Sequence, residues 1–131
     1  MASQRRAELA RELASAARTV GTAKLVVAEV SGDGNELRQV ALAVRDHLGA
    51  PGVVILGSGH DGKGALVALV TPDLLEGGVA ASELIAGASR ELGGGGSRDP
   101  ELAQAGGPKG ANLASALELA TRQAEETLAR Q

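Results

Sequence analysis

KLVVAEVSGDGNELRQVALAVRDHLGAPGVVIL, residues 24–56, carries the order of elements that decides the architecture. Lys24-Leu25-Val26-Val27-Ala28-Glu29-Val30 is a short apolar run rich in valine, the pattern of a buried strand. Ser31-Gly32-Asp33-Gly34-Asn35 is turn chemistry, and Asn35 is expected to cap the helix that follows. Leu37, Val40, Ala41, Val44 and Leu48 recur at helical spacing and form one apolar face. Gly49 and Pro51 end that helix, and Val53-Val54-Ile55-Leu56 is a second buried strand. Strand, helix, strand in this order predicts a parallel pair with a right-handed crossover.

Towards the C-terminus, Gly57-Ser58-Gly59-His60-Asp61-Gly62-Lys63-Gly64 is expected to be a turn and Ala65 to Val70 a third strand. So short a link requires an antiparallel hairpin, so the sheet is mixed. Thr71-Pro72-Asp73 breaks the pattern. Val79, Ser82, Ile85 and Ala86 predict a helix running to Leu92, Leu102 to Ala105 a short strand, and Ala111 to Ala129 a last helix. The last helix carries Leu113, Ala116, Leu117, Ala120 and Ala124 on one side. Towards the N-terminus, Ala7 to Val20 is expected to be a helix with Leu9, Leu13, Ala16, Ala17 and Val20 on one face, stopped at Gly21. It has no clear N-cap and Met1 sits almost on it, so it reads as the end of a longer helix; a plain N-terminal helix packed on the domain is the alternative. The fold class is α/β, a mixed β-sheet packed against helices and preceded by an N-terminal helix.

Composition narrows the functions. A chain of 131 residues fits one domain. Apolar residues make up 44%, but there is no Phe, Tyr or Trp and only one Met. The core must be assembled from Val, Leu, Ile and Ala, each burying less area than an aromatic ring, so modest stability is expected. The absence of cysteine removes disulfides, thiolate zinc sites and thiol nucleophiles, and fits a reducing cytoplasm. No apolar run approaches the length needed to span a membrane. MASQRRAELARELA is too frequently charged to be a signal peptide. The net charge of −3 counts against a dedicated nucleic-acid binder, although a local basic patch is compatible with it.

Catalytic constellations are poorly supplied. His47 and His60 are the two histidines. His47 falls near the end of the first crossover helix, where the helix dipole favours a cation and a surface role suffices. His60 sits in a Gly-rich turn between Ser58 and Asp61, where solvation accounts for it. No HxxxH or HExxH spacing exists, so no metal site is expected. Gly57 to Gly62 follows a strand and invites a phosphate-loop reading, yet a strand follows it, Gly64 stands where Ser or Thr is needed, and no helix N-terminus is expected beside it. The strongest local signal is Gly93 to Gly107. Consecutive glycines cost backbone entropy and make sense where φ is positive or where another molecule must approach closer than a Cβ allows. A flexible linker is the alternative, but linkers do not sit inside a core-forming pattern.

Gly93-Gly94-Gly95-Gly96-Ser97-Arg98-Asp99-Pro100-Glu101-Leu102-Ala103-Gln104-Ala105-Gly106-Gly107 resembles the signature of the DHH-associated domain found at the C-terminus of alanyl-tRNA synthetases. There a glycine run, a basic residue, and Ala-Gln followed by glycines precede a final helix. The resemblance covers residues 23–131 as that α/β domain, and residues 1–22 are similar to the end of the family's helical connector. The stretch between the glycines and Ala103-Gln104 is a residue or two longer than the family pattern.

The resemblance implies an RNA-binding module that contacts the outer corner of tRNA, where the D and T loops meet, and supports aminoacylation and editing performed by other domains. It implies no catalytic residue, metal or cofactor in this chain. The implied partners are tRNA, in particular tRNA for alanine, and the rest of the synthetase, in the cytoplasm and away from membranes. Gly93, Gly94, Gly95, Gly96, Ser97, Arg98, Gln104 and Lys109 are the expected contacts, joined by His60 and Lys63 if the two Gly-rich turns share one end of the sheet. Bare peptide planes would stack on a base face and the cations would meet phosphates. Two alternatives stand beside this: a dimerisation domain pairing through its first and last helices, and the substrate-binding accessory domain of a DHH phosphoesterase.

Overall fold

The computed structural model describes residues 3–49 and 51–130, so the expectation about Met1 lies outside the described residues. The elements are α1 (Ser3–Ser15), β1 (Arg18–Val20), β2 (Ala23–Glu29), α2 (Gly34–Leu48), β3 (Gly52–His60), β4 (Lys63–Val70), α3 (Pro72–Glu76), α4 (Ala81–Leu84), α5 (Ala86–Glu91), β5 (Leu102–Gly107) and α6 (Leu113–Ala129). The sheet order is β1-β2-β3-β4-β5. Only β2 and β3 are parallel, across the α2 crossover; every other neighbouring pair is antiparallel. The expected mixed sheet is therefore present.

The period of two along each strand splits the apolar side chains between two cores. Leu25, Val53, Ile55, Leu66, Ala68, Ala103 and Ala105 face α3 to α6, and Val26, Val54, Leu56, Val67 and Leu69 face α1 and α2. All five residues of the α2 stripe are buried. With no rings to fill space, alanines let helices approach closely: Ala10 and Ala14 bury α1 against the α2 side, and Ala116, Ala120 and Ala124 bury α6 against the other.

Several local expectations need correction. Arg18 to Val20 is not the end of the first helix; it pairs with β2 through a two-residue turn in which Gly21 takes φ 63°. Thr19 and Val20 are β-branched, and pairing along β2 outweighs another helical turn. The α2 cap is Asp33, not Asn35: its carboxylate accepts the Glu36 N–H at 2.9 Å. Thr71-Pro72-Asp73 does not merely break the chain but starts α3, with Thr71 as cap and Pro72 at the first helical position, where its missing N–H is no loss. The helix expected from Val79 to Leu92 is two short helices interrupted at Ile85, whose φ of −111° is not helical.

Candidate nucleic-acid interface

Gly57 to Gly64 is a continuation of β3 and β4 rather than an extended turn. The ladder runs to His60↔Lys63 and leaves a two-residue Asp61-Gly62 turn, with φ of 51° and 77°. Positive φ at both central residues marks the tight hairpin turn that matches strand twist, and Asp-Gly is the pair that tolerates it. The glycines and the polar residues of this hairpin face opposite sides. A Cβ at Gly57 would meet Leu113 and Leu117, and one at Gly64 would meet Leu92, so these glycines make room for helices. Ser58 and His60 lie on the α2 face.

On that face α2 begins only at Gly34, so the sheet continues beyond the end of the helix. Ser58 pairs with Ala65 and Ala65 with Gly106, placing in one row the smallest residue that each of three adjacent strands presents on this face. They floor an open cleft of about 450 Å³. Gly32, Asp33 and Gly34 form its back wall, and His60, Lys63 and Pro108 its front rim. The Ser58 hydroxyl donates to the Gly32 carbonyl at 2.7 Å, and the Gln104 side-chain amide donates to the Gly34 carbonyl at 3.0 Å. Both bonds pin the wall to the sheet. A helix N-terminus does stand beside the Ser58–His60 segment, contrary to expectation, but the Asp33 carboxylate caps it and it is no anion cradle.

The Gly93–Gly107 segment is ordered along the outer edge of β5. Ser97 N–H donates to the Gln104 carbonyl at 2.7 Å, the Ser97 hydroxyl accepts from Gln104 N–H at 3.0 Å, and Gly96 bridges Ala105. A Cβ at Gly94 would run into the Gly106 carbonyl, and one at Gly107 into the Leu92 carbonyl. For these two glycines the close neighbour is the protein's own backbone. Gly93, with φ 79°, turns the chain out of α5 and lies under the Lys109 stem. Gly95 has nothing within 4 Å of where a Cβ would stand, and Gly95, Gly96 and Ser97 are exposed.

Of the ten expected contact residues, His60, Lys63, Gly93, Gly94 and Lys109 lie at the hairpin end of the sheet, whereas Gly96, Ser97 and Gln104 lie level with Leu66 and Val67, midway along β4. His60 and Lys63 edge the cleft, and the Gly110 N–H donates to the Gly62 carbonyl at 2.9 Å, which ties the segment after β5 to the same hairpin. Arg98 lines a shallow groove outside Gly94–Ser97, while Gln104 is committed to bracing the wall. The same groove holds Arg90, which sequence reasoning missed; its position in the last turn before the glycines was the available signal. His60 Nε2 lies 3.1 Å from Asp61 Oδ2, both groups exposed. The added residues before Ala103 form a compact loop: the Asp99 carboxylate accepts N–H groups of Leu102 at 3.1 Å and Glu101 at 2.9 Å, and these bonds hold its pKa below the usual carboxylate value. Among the described residues no cluster of His, Asp or Glu is arranged to hold a metal ion, and no helix is long and apolar enough to cross a membrane.

Comparison with known proteins adds a lineage to this geometry. The DHHA1 domain family model matches residues 22–126. The chain is similar to an alanine–tRNA ligase of Anaeromyxobacter dehalogenans, at 44% identity over 90% of this chain, and to one of Prochlorococcus marinus, at 40% over 91%. It spans only 13% and 14% of those relatives' lengths. The C-Ala domain of Aquifex aeolicus alanyl-tRNA synthetase superposes with a TM-score of 0.71 at 26% identity, covering 83% of this chain and 97% of that one. The DHH domain of a member of a ribosomal protein family, with a TM-score of 0.63 at 7% identity, covers 95% of this chain and 31% of its own and shares the fold alone.

Proposed function

The chain belongs to the DHHA1 domain family, and on that premise we propose that it is the tRNA-binding C-terminal domain of an alanyl-tRNA synthetase, gripping the outer corner of tRNA. Ligation and editing belong to the rest of that synthetase, and this portion contributes affinity and placement instead of chemistry. Residues 23–131 form the bulk of the binding domain, with β1 as an edge strand of its sheet, and α1 is the end of its helical connector. The partners are tRNA, tRNA for alanine first among them, and the remaining domains, in the cytoplasm.

One observation carries this reading: two glycine-rich segments far apart in sequence are joined by hydrogen bonds, with Lys63 on the α2 side of the junction and Arg98 and Lys109 on the α5 side. Such a junction suits a nucleic acid without aromatic help. Bare backbone accepts a base face, and cations at the rim donate to phosphates whatever the sequence. With a net charge of −3 the intrinsic grip is weak and salt-sensitive, and tethering to the enzyme raises the effective concentration.

Titration with a tRNA transcript at low and high salt tests this. Arg98→Glu with Lys109→Glu is expected to abolish most of the affinity and to lower the salt slope by about two. Absence of salt-dependent binding at millimolar protein, or indifference to the double substitution, would overturn the assignment.

A further inference from the structure

We propose that the cleft beyond the N-terminus of α2 is a pocket for a single unstacked nucleobase of the bound RNA, an inference that rests on the tRNA-binding reading above. Its floor is the row Ser58, Ala65, Gly106 on three adjacent strands. Strand spacing makes that row about 10 Å across, and the two-residue step along the strands to the His60–Lys63 row makes the floor about 7 Å long. The dimensions suit one flat ring system and not a stack of paired bases.

The chemistry of the walls agrees. Ser58 and Ala65 pair with each other in the ladder, the Gly106 N–H donates to the Gly95 carbonyl, and the Ser58 hydroxyl is spent on the Gly32 carbonyl. What remains is a flat surface with no polar demand, which a base satisfies through its face. At the back, the Asp33 carboxylate already accepts from Glu36 N–H and has lone pairs left for an exocyclic amine. At the front stand Lys63 and His60, with Asp61 paired to His60 at 3.1 Å, so a phosphate entering at the rim meets Lys63 as the cation of the hairpin tip that Asp61 does not engage. Acceptor behind, apolar floor and cation in front correspond to the edge, face and phosphate of one nucleotide.

Ala65 is half-buried on the floor, and a longer side chain there projects into the cleft without disturbing a hydrogen bond. Binding of a tRNA transcript and of a fully paired RNA duplex is measured for the wild type and for Ala65→Leu, with thermal melting to confirm folding. Independently, guanosine monophosphate is titrated into the wild type while amide resonances are followed. The expected result is roughly tenfold weaker tRNA binding by Ala65→Leu, unchanged duplex affinity, and shifts at the amides of Ser58, Ala65 and Gly106. Unchanged tRNA affinity in folded Ala65→Leu, equal losses for tRNA and duplex, or no response of those amides overturns the pocket while the RNA reading stands. A wild type that binds no tRNA removes both. Should Ala65→Leu not fold, the amide titration decides.

Discussion

In the Gly57–Gly64 hairpin, glycines alternate with Ser58, His60 and Lys63, and Gly57, Gly59 and Gly64 look towards leucines of the helical layer. In the Gly93–Gly107 segment they are clustered, and Gly94 and Gly107 lie backbone on backbone. One segment uses glycine to admit side-chain tips, which can swing aside; the other uses it to admit carbonyls, which cannot. Within the second segment the requirement changes again over one residue, because Gly95 faces open solvent while Gly94 is pressed against its own chain. A glycine run therefore announces close approach, and only the fold says whether the approaching group is internal.

The contrast can be broken most decisively at its rigid end. Gly94→Ala, or Gly107→Ala, is expected to cost about 3 kcal/mol or more in urea unfolding, since neither the Gly106 carbonyl in β5 nor the Leu92 carbonyl, held by the Lys109 N–H, can retreat. A loss below about 0.5 kcal/mol would mean the two backbones are not seated on each other. Gly57→Ala tests the flexible end: its Cβ would stand 2.9 Å from a Leu117 methyl and 3.1 Å from one of Leu113, and a shift of those tips limits the expected cost to about 1–2 kcal/mol. Gly95→Val should leave stability within about 0.5 kcal/mol, yet weaken tRNA binding severalfold by spoiling a bare plane. Equal affinity for that variant would confine recognition to the cleft side.

The smallest effect belongs to Asp99. Its pKa is lowered by the Leu102 and Glu101 N–H groups, so its contribution to loop order is complete above the usual carboxylate range and disappears as pH falls through the lowered value. Protection of the Leu102 and Glu101 amides, taken relative to intrinsic exchange at each pH, should fall on acidification, and Asp99→Ala should show the same lowered protection at neutral pH.

Much of this arrangement was legible in the sequence because burial enforces periodicity. Leu37, Val40, Ala41, Val44 and Leu48 could only be one helix face, and the strand order around them followed from chain connectivity. Where burial is weak, short-range rules misled. Arg18 to Val20 continued a helical composition but pairs with β2, a choice made by a neighbour distant from propensity. His60 and Lys63 looked like loop residues because glycines interrupt the apolar pattern, although those glycines belong to strands. A shared end for the two Gly-rich segments stood only as a condition in the sequence, and it holds for Gly93, Gly94 and Lys109 but not for Ser97 and Gln104; the cleft was not legible, because it exists only where α2 happens to start. Arg90 was hidden by lying in a helix instead of the motif.

The run from Gly93 to Ser97 also settles what happens at the margin of the sheet. Gly95 and Ser97 occupy ladder positions of β5 that would otherwise point outward, through Gly106 N–H to the Gly95 carbonyl and Ser97 N–H to the Gln104 carbonyl. At the opposite margin β1 is three residues long and carries Arg18, paired with Glu125 at 3.1 Å. Neither margin gives a stray chain a long template on which to grow cross-β, so a protein with this much valine and leucine in its strands is guarded against amyloid-like aggregation by the very segment that looks, in sequence, most like slack.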